Sequence, residues 1–346
     1  MKSFIQALLT AVIGLALGSL VALLGNESPV HVIEVIFNGA FGTPYDLGLT
    51  IYYGVILTFS GLAVAVPFRA GVFNIGGEGQ VVVASFTCAI VAILLGDQWS
   101  PFLCAFVGLI LGCLAGGLWA GIAGWIKSFR GGHEVISSIM LNFIAAGLTG
   151  WLTINHFRAS DSQNPETSSI GAAWLWSKLD IFGGAPVTNF SILAVVCCLV
   201  VWILFSKTVF GFSLKAVSQS PSAAEIAGIP VARTTFYSML LGGAFAGLAG
   251  AFMVYGDVGR FRMDMSAGFG FMGIPVALLG RAHPVGVLFS AILFAVLHQG
   301  STALDIEATG VGRDLAQVIQ AIVVIVVVSQ SLFTISFWKR ITSKWS

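Results

Sequence analysis

The chain has 346 residues, of which 57% are hydrophobic and 9% charged, with a formal net charge of +1 and a mean hydropathy of +0.95. A soluble domain carries roughly 25% charged residues, so a soluble multidomain architecture is excluded and most of the surface is written to face lipid. No Lys/Arg-rich run marks a nucleic-acid partner.

In chain order, uncharged apolar runs occupy residues 4–25, 47–66, 79–96, 101–126, 135–155, 187–206, 234–256, 265–280, 284–304 and 315–338. A bilayer-crossing helix needs about 20 such residues. The expected fold is therefore all-α: a polytopic membrane protein of about ten transmembrane helices, forming a single domain over residues 1–346. Residues 4–25 read as an uncleaved first span, because no small-residue cleavage site follows. The runs 79–96 and 265–280 are short and are expected to be broken or re-entrant, which membranes tolerate only inside protein or along a cavity. Pro275 among Gly268, Gly270 and Gly273 strengthens that expectation for the second run. It echoes the region near Asn74 and hints at an internal repeat between 47–96 and 234–280.

Charge placement sets the orientation. With the N-terminus inside and sides alternating, Lys2, Arg69, Lys127, Arg130, Lys207, Lys215, Arg233, Arg281, Lys339, Arg340 and Lys344 are cytoplasmic, 11 of the 16 basic residues. That bias obeys the positive-inside rule and puts both termini in the cytoplasm. Two connections are long: an external loop, 156–186, and a cytoplasmic loop, 207–233. Each offers a partner something to grip. Arg260, Arg262 and Asp264 form an external turn, expected to pair among themselves or to meet an external protein. The cysteines, Cys88, Cys104, Cys113, Cys197 and Cys198, lie in apolar runs without metal-ligand spacing and read as packing residues. His298, alone in the run 284–304, reads as a hydrogen-bonding residue between helices.

Two polar segments interrupt the apolar pattern. Phe68 to Gln80 carries Gly71, Gly76, Gly77 and Gly79, which permit irregular backbone, and Asn74, Glu78 and Gln80, which bring polar atoms to membrane depth. Such a carboxylate either lines a cavity or has a partner. Two readings stay open: Asn74, Glu78, Gln80 and, farther along, Asn142 line a solute path, or they satisfy the amides of a broken helix. In the cytoplasmic loop, Ser220 before Pro221 starts a short helix and Gly228 with Pro230 stops it. The small residues Ala223, Ala224 and Ala227 suit a helix that slots into a groove on a partner.

The string Asn74-Ile75-Gly76-Gly77-Glu78-Gly79-Gln80 resembles the signature of the permease family that serves branched-chain amino acid, ribose and nucleoside ABC importers. Glu134 to Asn142 is similar to a second block of its nucleoside-type branch, and Ala223 to Ile229 resembles the segment that docks onto the ATPase. The resemblance implies a type II importer permease of about ten helices in a bacterial inner membrane. It further implies a second permease subunit, identical or homologous, two ATP-hydrolysing subunits inside and a solute-binding protein outside. Ala223, Ala224, Glu225 and Gly228 would touch the ATPase, and Asn74, Glu78 and Asn142 would lie near the path. The solute class it implies is a nucleoside or related molecule, with riboflavin, pentoses or other sugars and branched-chain amino acids as alternatives. The chain has no G-x-x-x-x-G-K-[ST] loop, so ATP is expected to be used by a partner. No cofactor, metal or catalytic residue is expected here. The rival reading is an ion-coupled secondary transporter using Glu78.

Overall fold

The computed structural model describes residues 28–160 and 162–307, with isolated positions at 13–14, 16–20, 23, 318, 321–322 and 325–326. The predicted spans 4–25 and 315–338 therefore lie mostly outside the described residues. Within them the chain is helical, and no strand occurs among the described residues beyond isolated bridges. In order come α1 (Pro29–Phe41), α2 (Pro44–Phe68), α3 (Gly77–Leu95), α4 (Pro101–Arg130) and α5 (Glu134–Leu152, continued by the π-helical turn Thr153–Phe157). There follow α6 (Leu193–Lys207), α7 (Val209–Gln219), α8 (Pro221–Ile226), α9 (Val231–Met253, continued by the π-helical turn Val254–Val258), α10 (Phe269–Leu279) and α11 (Pro284–Glu307).

Among the described residues, seven helices, α2 to α6, α9 and α11, are long and apolar enough to cross a membrane, counting the 3₁₀ and π-helical turns that adjoin them. They coincide with seven of the predicted runs. The run 265–280 holds only α10, whose 11 residues span about 16 Å, half of a hydrocarbon core of about 30 Å. The run 79–96 is a correction: α3 is a continuous 19-residue helix, and the break precedes it at 69–76. Two helices fall where connections were expected. In α1, His31 and Glu34 interrupt the apolar run, and α7 carries Lys215. Starts follow the expected chemistry. Thr43, Ser100 and Ser220 each accept a first-turn N–H, and each precedes a proline, whose missing donor costs nothing there.

Two helices form the axis of the bundle. In both α2 and α9, 83% of the best apolar window is buried, against 17% for the segment containing α6. The closest packing is α4 on α9, and it is made of glycine. A β-carbon on Gly116 would lie 2.4 Å from the Gly243 carbonyl oxygen, and one on Gly247 would lie 1.9 Å from that of Gly112. With lipid as solvent there is no hydrophobic force between helices, so close backbone approach supplies the attraction. Gly247→Leu should abolish the monodisperse peak in fluorescence-detected size exclusion. Gly147→Ala, where nothing lies within 4 Å, should leave it unchanged.

The 156–186 connection is a folded cap. Trp174 is fully buried, stacks on Tyr255 at 5.8 Å and donates its indole N–H to the Gly96 carbonyl at 2.9 Å. Trp176 packs on Phe190 at 4.4 Å. The turn at Arg260 differs from expectation: its cations pair with the loop, not with Asp264. Arg260 and Arg262 hold the two carboxylate oxygens of Glu166 at 2.7 and 3.0 Å. A hydrogen bond from Ser162 and these two guanidinium groups hold the Glu166 carboxyl below its usual range, against the opposing effect of burial. A depressed acid stabilises the folded cap above its unfolded pKa and loses that contribution as pH falls through the folded value. Tryptophan emission should therefore report loosening of the cap below about pH 4, and Glu166→Gln should remove that acid dependence.

Candidate functional site

The polar segment after α2 forms a junction between two helix starts. The chain leaves α2 at Arg69 and turns through Gly71, whose φ of +77° favours glycine. The irregular stretch 69–76 leaves backbone groups that need partners inside the protein. Asn74, fully buried, supplies them. Its Nδ2 donates to the Ala63 carbonyl and to Gln80 Oε1, both at 3.1 Å. Its Oδ1 accepts from Gly76 N at 3.1 Å and from Gln80 Nε2 at 2.9 Å. Asn142, from α5, closes the other side: its Oδ1 accepts from Gly79 N at 2.9 Å and its Nδ2 donates to the Ile75 carbonyl at 3.0 Å. The Gly79 N–H is one of the first-turn donors that a helix leaves unpaired.

Glu78 points the other way, across the junction. Its Oε1 accepts from Gly268 N at 3.2 Å and from the Ser266 hydroxyl, and its Oε2 accepts from Gly270 N at 2.9 Å. These groups precede and open α10. Glu78 is itself in the first turn of α3, so two helix N-termini, each the positive end of a dipole, converge on one carboxylate. The charge is met by N–H groups and a hydroxyl, with no salt bridge to it among the described residues. The glycines set the distance. A β-carbon on Gly270 would fall 2.3 Å from Glu78 N, and one on Gly77 would fall 2.9 Å from the Gly270 carbonyl. The sequence marked Glu78 as needing a partner and α10 as a broken helix. It gave no sign that one is the partner of the other, because Ser266 and Glu78 are 188 positions apart.

The other predicted residues lie at one end of the bundle. Ser220 caps α8, accepting from Ala223 N at 3.3 Å, and Gly228 takes φ +80° beyond it. Ala223, Glu225 and Gly228 are exposed. Ala224 faces inward at 4% exposed, so it packs the helix to the bundle and is not on the outward surface where the sequence had placed it. Ile226, 89% exposed, takes that place, and Phe212 and Val209 of α7 are further exposed apolar side chains. Sequence reasoning passed over Ile226, although it is the one large apolar residue in a helix of small ones. The end of α7, which leads into α8, touches the junction. A β-carbon on Gly71 would lie 3.3 Å from the Cα of Ser218, near the end of α7. Arg69 lies over the Phe205 ring at 5.1 Å, so the α2, α6 and α7 ends share one side.

A polytopic helical membrane protein built around two abutting helix starts is the class this geometry defines. A family model described as branched-chain amino acid transport system / permease component matches residues 47–328, and the chain belongs to that family. It is 34% identical over 336 residues to the guanosine ABC transporter permease protein NupP of Bacillus subtilis, covering 93% of this chain and 92% of the relative. It is 31% identical to a glucose ABC transporter permease protein of Haloferax volcanii over 94% of this chain and 87% of the relative. A nucleoside ABC transporter permease protein, NupB of Lactococcus lactis, is 30% identical over 93% and 90%. No solved structure matches the chain.

Hydrogen bonds to a charged group contribute about 1.5–3 kcal/mol each. Glu78→Ala should therefore speed hydrogen exchange at the amides of Gly268 and Gly270 by about 10- to 150-fold. Asn142→Ala should affect Gly79 and leave those two amides protected.

Proposed function

We propose that this chain is the translocation-path subunit of an ATP-driven importer for a nucleoside or a closely related neutral, hydroxyl-rich solute. The observation that carries the reading is the set of relatives matched over nine-tenths of the chain and named for guanosine, nucleosides and glucose. Each of these solutes presents ring-borne hydroxyl groups and no fixed charge. In this reading the chain sits in the cytoplasmic membrane with both termini inside. It pairs with a second permease, receives solute from an external binding protein and contains no phosphate loop of its own. Energy then comes from a separate ATPase.

The ATPase contact is the outward face formed by Ala223, Glu225, Ile226 and Gly228, with Ala224 anchoring it from beneath. An exposed apolar side chain on a short helix is what a groove in a partner takes up. Displacement of α8 reaches the 69–76 turn through the contact of Ser218 with Gly71. Asn74, Gln80 and Asn142 make that turn stiff, and Glu78 fastens it to α10. These four residues shape the wall of the path from behind, since their polar atoms are spent on backbone and on each other. The same commitment of both Glu78 oxygens counts against a cycle in which that carboxylate binds and releases an ion.

Ile226→Asp changes an exposed side chain and should leave the fold within about 0.5 kcal/mol of wild type. It should reduce the ATPase co-purified from the native membrane at least tenfold, and ATP-dependent uptake into vesicles with it. Uptake driven by a proton or sodium gradient without nucleotide would overturn the proposal.

A further inference from the structure

Far from the ATPase face, a cavity of about 440 Å³ opens where α1 ends, α2 begins and α11 nears the last of its described turns. It lies about 35 Å along α2 from the Gly71 contact, at the end of the bundle that the proposed orientation turns outward. A pocket of this size suits a small ligand. Its wall is rigid because α1 and α11 meet backbone to backbone. A β-carbon on Gly39 would fall 2.4 Å from the Ala303 methyl, and one on Gly300 would fall 2.3 Å from the Ile36 carbonyl oxygen.

The polar groups around it are unusual for such a wall. Gln299 is only 5% exposed; its Nε2 donates to the Gly39 carbonyl at 3.3 Å, and its Oε1 has no protein partner among the described residues. Asp46 accepts the Thr43 hydroxyl on Oδ2 at 2.6 Å, and its Oδ1 has no partner among the described residues. The Asn38 amide is exposed with no side-chain hydrogen bond among the described residues, and Tyr45 presents a half-exposed ring. Among the described residues, no Lys or Arg lines the space. Unused acceptors on a carboxylate and an amide, a free amide donor and a flat ring match the demands of a hydroxylated ring compound. A lone carboxylate without a cation repels phosphate.

We propose that this cavity, held by Asn38, Tyr45, Asp46 and Gln299, is a receiving subsite for a neutral polyhydroxylated solute and discriminates against its phosphorylated form. The proposal rests on the transporter reading above and adds to it a location and a chemical filter. Asp46 and Gln299 accept hydroxyl protons, Asn38 donates to a ring or carbonyl oxygen, and Tyr45 offers its face to the ring.

The test uses the permease purified with its ATPase in lipid nanodiscs, without the binding protein, which would impose its own selectivity. Saturation-transfer NMR is run with guanosine, glucose and guanosine 5′-monophosphate as probes. Guanosine and glucose should give signals that weaken at least fivefold in apparent affinity in Asp46→Asn and in Gln299→Leu, and the monophosphate should give none. Asn38→Ala, which alters an exposed side chain, should weaken guanosine as well and guards against misfolding of the buried variant. Equal signals from guanosine and its monophosphate, or unchanged affinities in all three variants, would overturn the proposal. So would variants that lose uptake while their solute signals stay intact, since the face would then serve the binding protein. ATP-driven uptake by the wild-type complex separates the two levels. If it is present while the variants bind normally, only the cavity assignment fails. If no ATPase accompanies the chain, the reading beneath it fails.

Discussion

A carboxylate drawn into a helix bundle must find hydrogen-bond donors within the protein, and at Glu78 the donors come from the far side of a junction. Ser266, Gly268 N and Gly270 N all give to it. The two N–H donors are those that α10 cannot pair internally, because a helix leaves its first N–H groups free. One side chain thus resolves two costs at once, an unpaired charge and an uncapped helix start. Either alone would amount to some kcal/mol. The half-length of α10 depends on this arrangement, since a helix too short to span the bilayer must end inside protein.

Around that junction the glycines have a shared purpose. Gly77 and Gly270 let the two helix starts touch, Gly79 makes room for Asn142, and Gly273 admits α10 to the backbone of α2 at Ser60. The same device recurs on a larger scale between α4 and α9 and between α1 and α11. Small residues at contact points allow a bundle with little internal hydrophobic driving force to hold together through packing and backbone proximity. Rigidity then follows. A displacement of α8 has few soft places in which to dissipate between Ser218 and Glu78.

Much of this was legible in the sequence, and the physical reasons for the rest are specific. Seven long helices follow from uncharged runs, because lipid as solvent leaves hydropathy little freedom. The α8 boundaries follow from Ser220, Pro221 and Gly228. Helix α1 was missed because His31 and Glu34 break its apolar run, and α7 because its amphipathic residues resemble a loop. The residue types of the junction stood out as polar atoms in apolar surroundings. Their partners did not: pairings such as Glu78 with Ser266 or Glu166 with Arg260 and Arg262 are set by tertiary geometry across about a hundred residues or more. Ala224 illustrates the finer limit. In a six-residue helix, composition names the element, and only packing decides which side faces out.

The claim on which the proposed account turns is that α8, proposed as the ATPase contact, moves α10 through Glu78. Paired spin labels, at Leu199→Cys on the outer face of α6 and Phe271→Cys on α10, measure that movement by electron–electron resonance in the complex with and without trapped nucleotide. Both positions are exposed, and the native cysteines are free and mostly buried. The account predicts a nucleotide-dependent shift in the distance between the labels that is lost in Glu78→Ala while the ATPase stays bound. A shift of the same size in Glu78→Ala, or none in the protein with Glu78 intact, would contradict it.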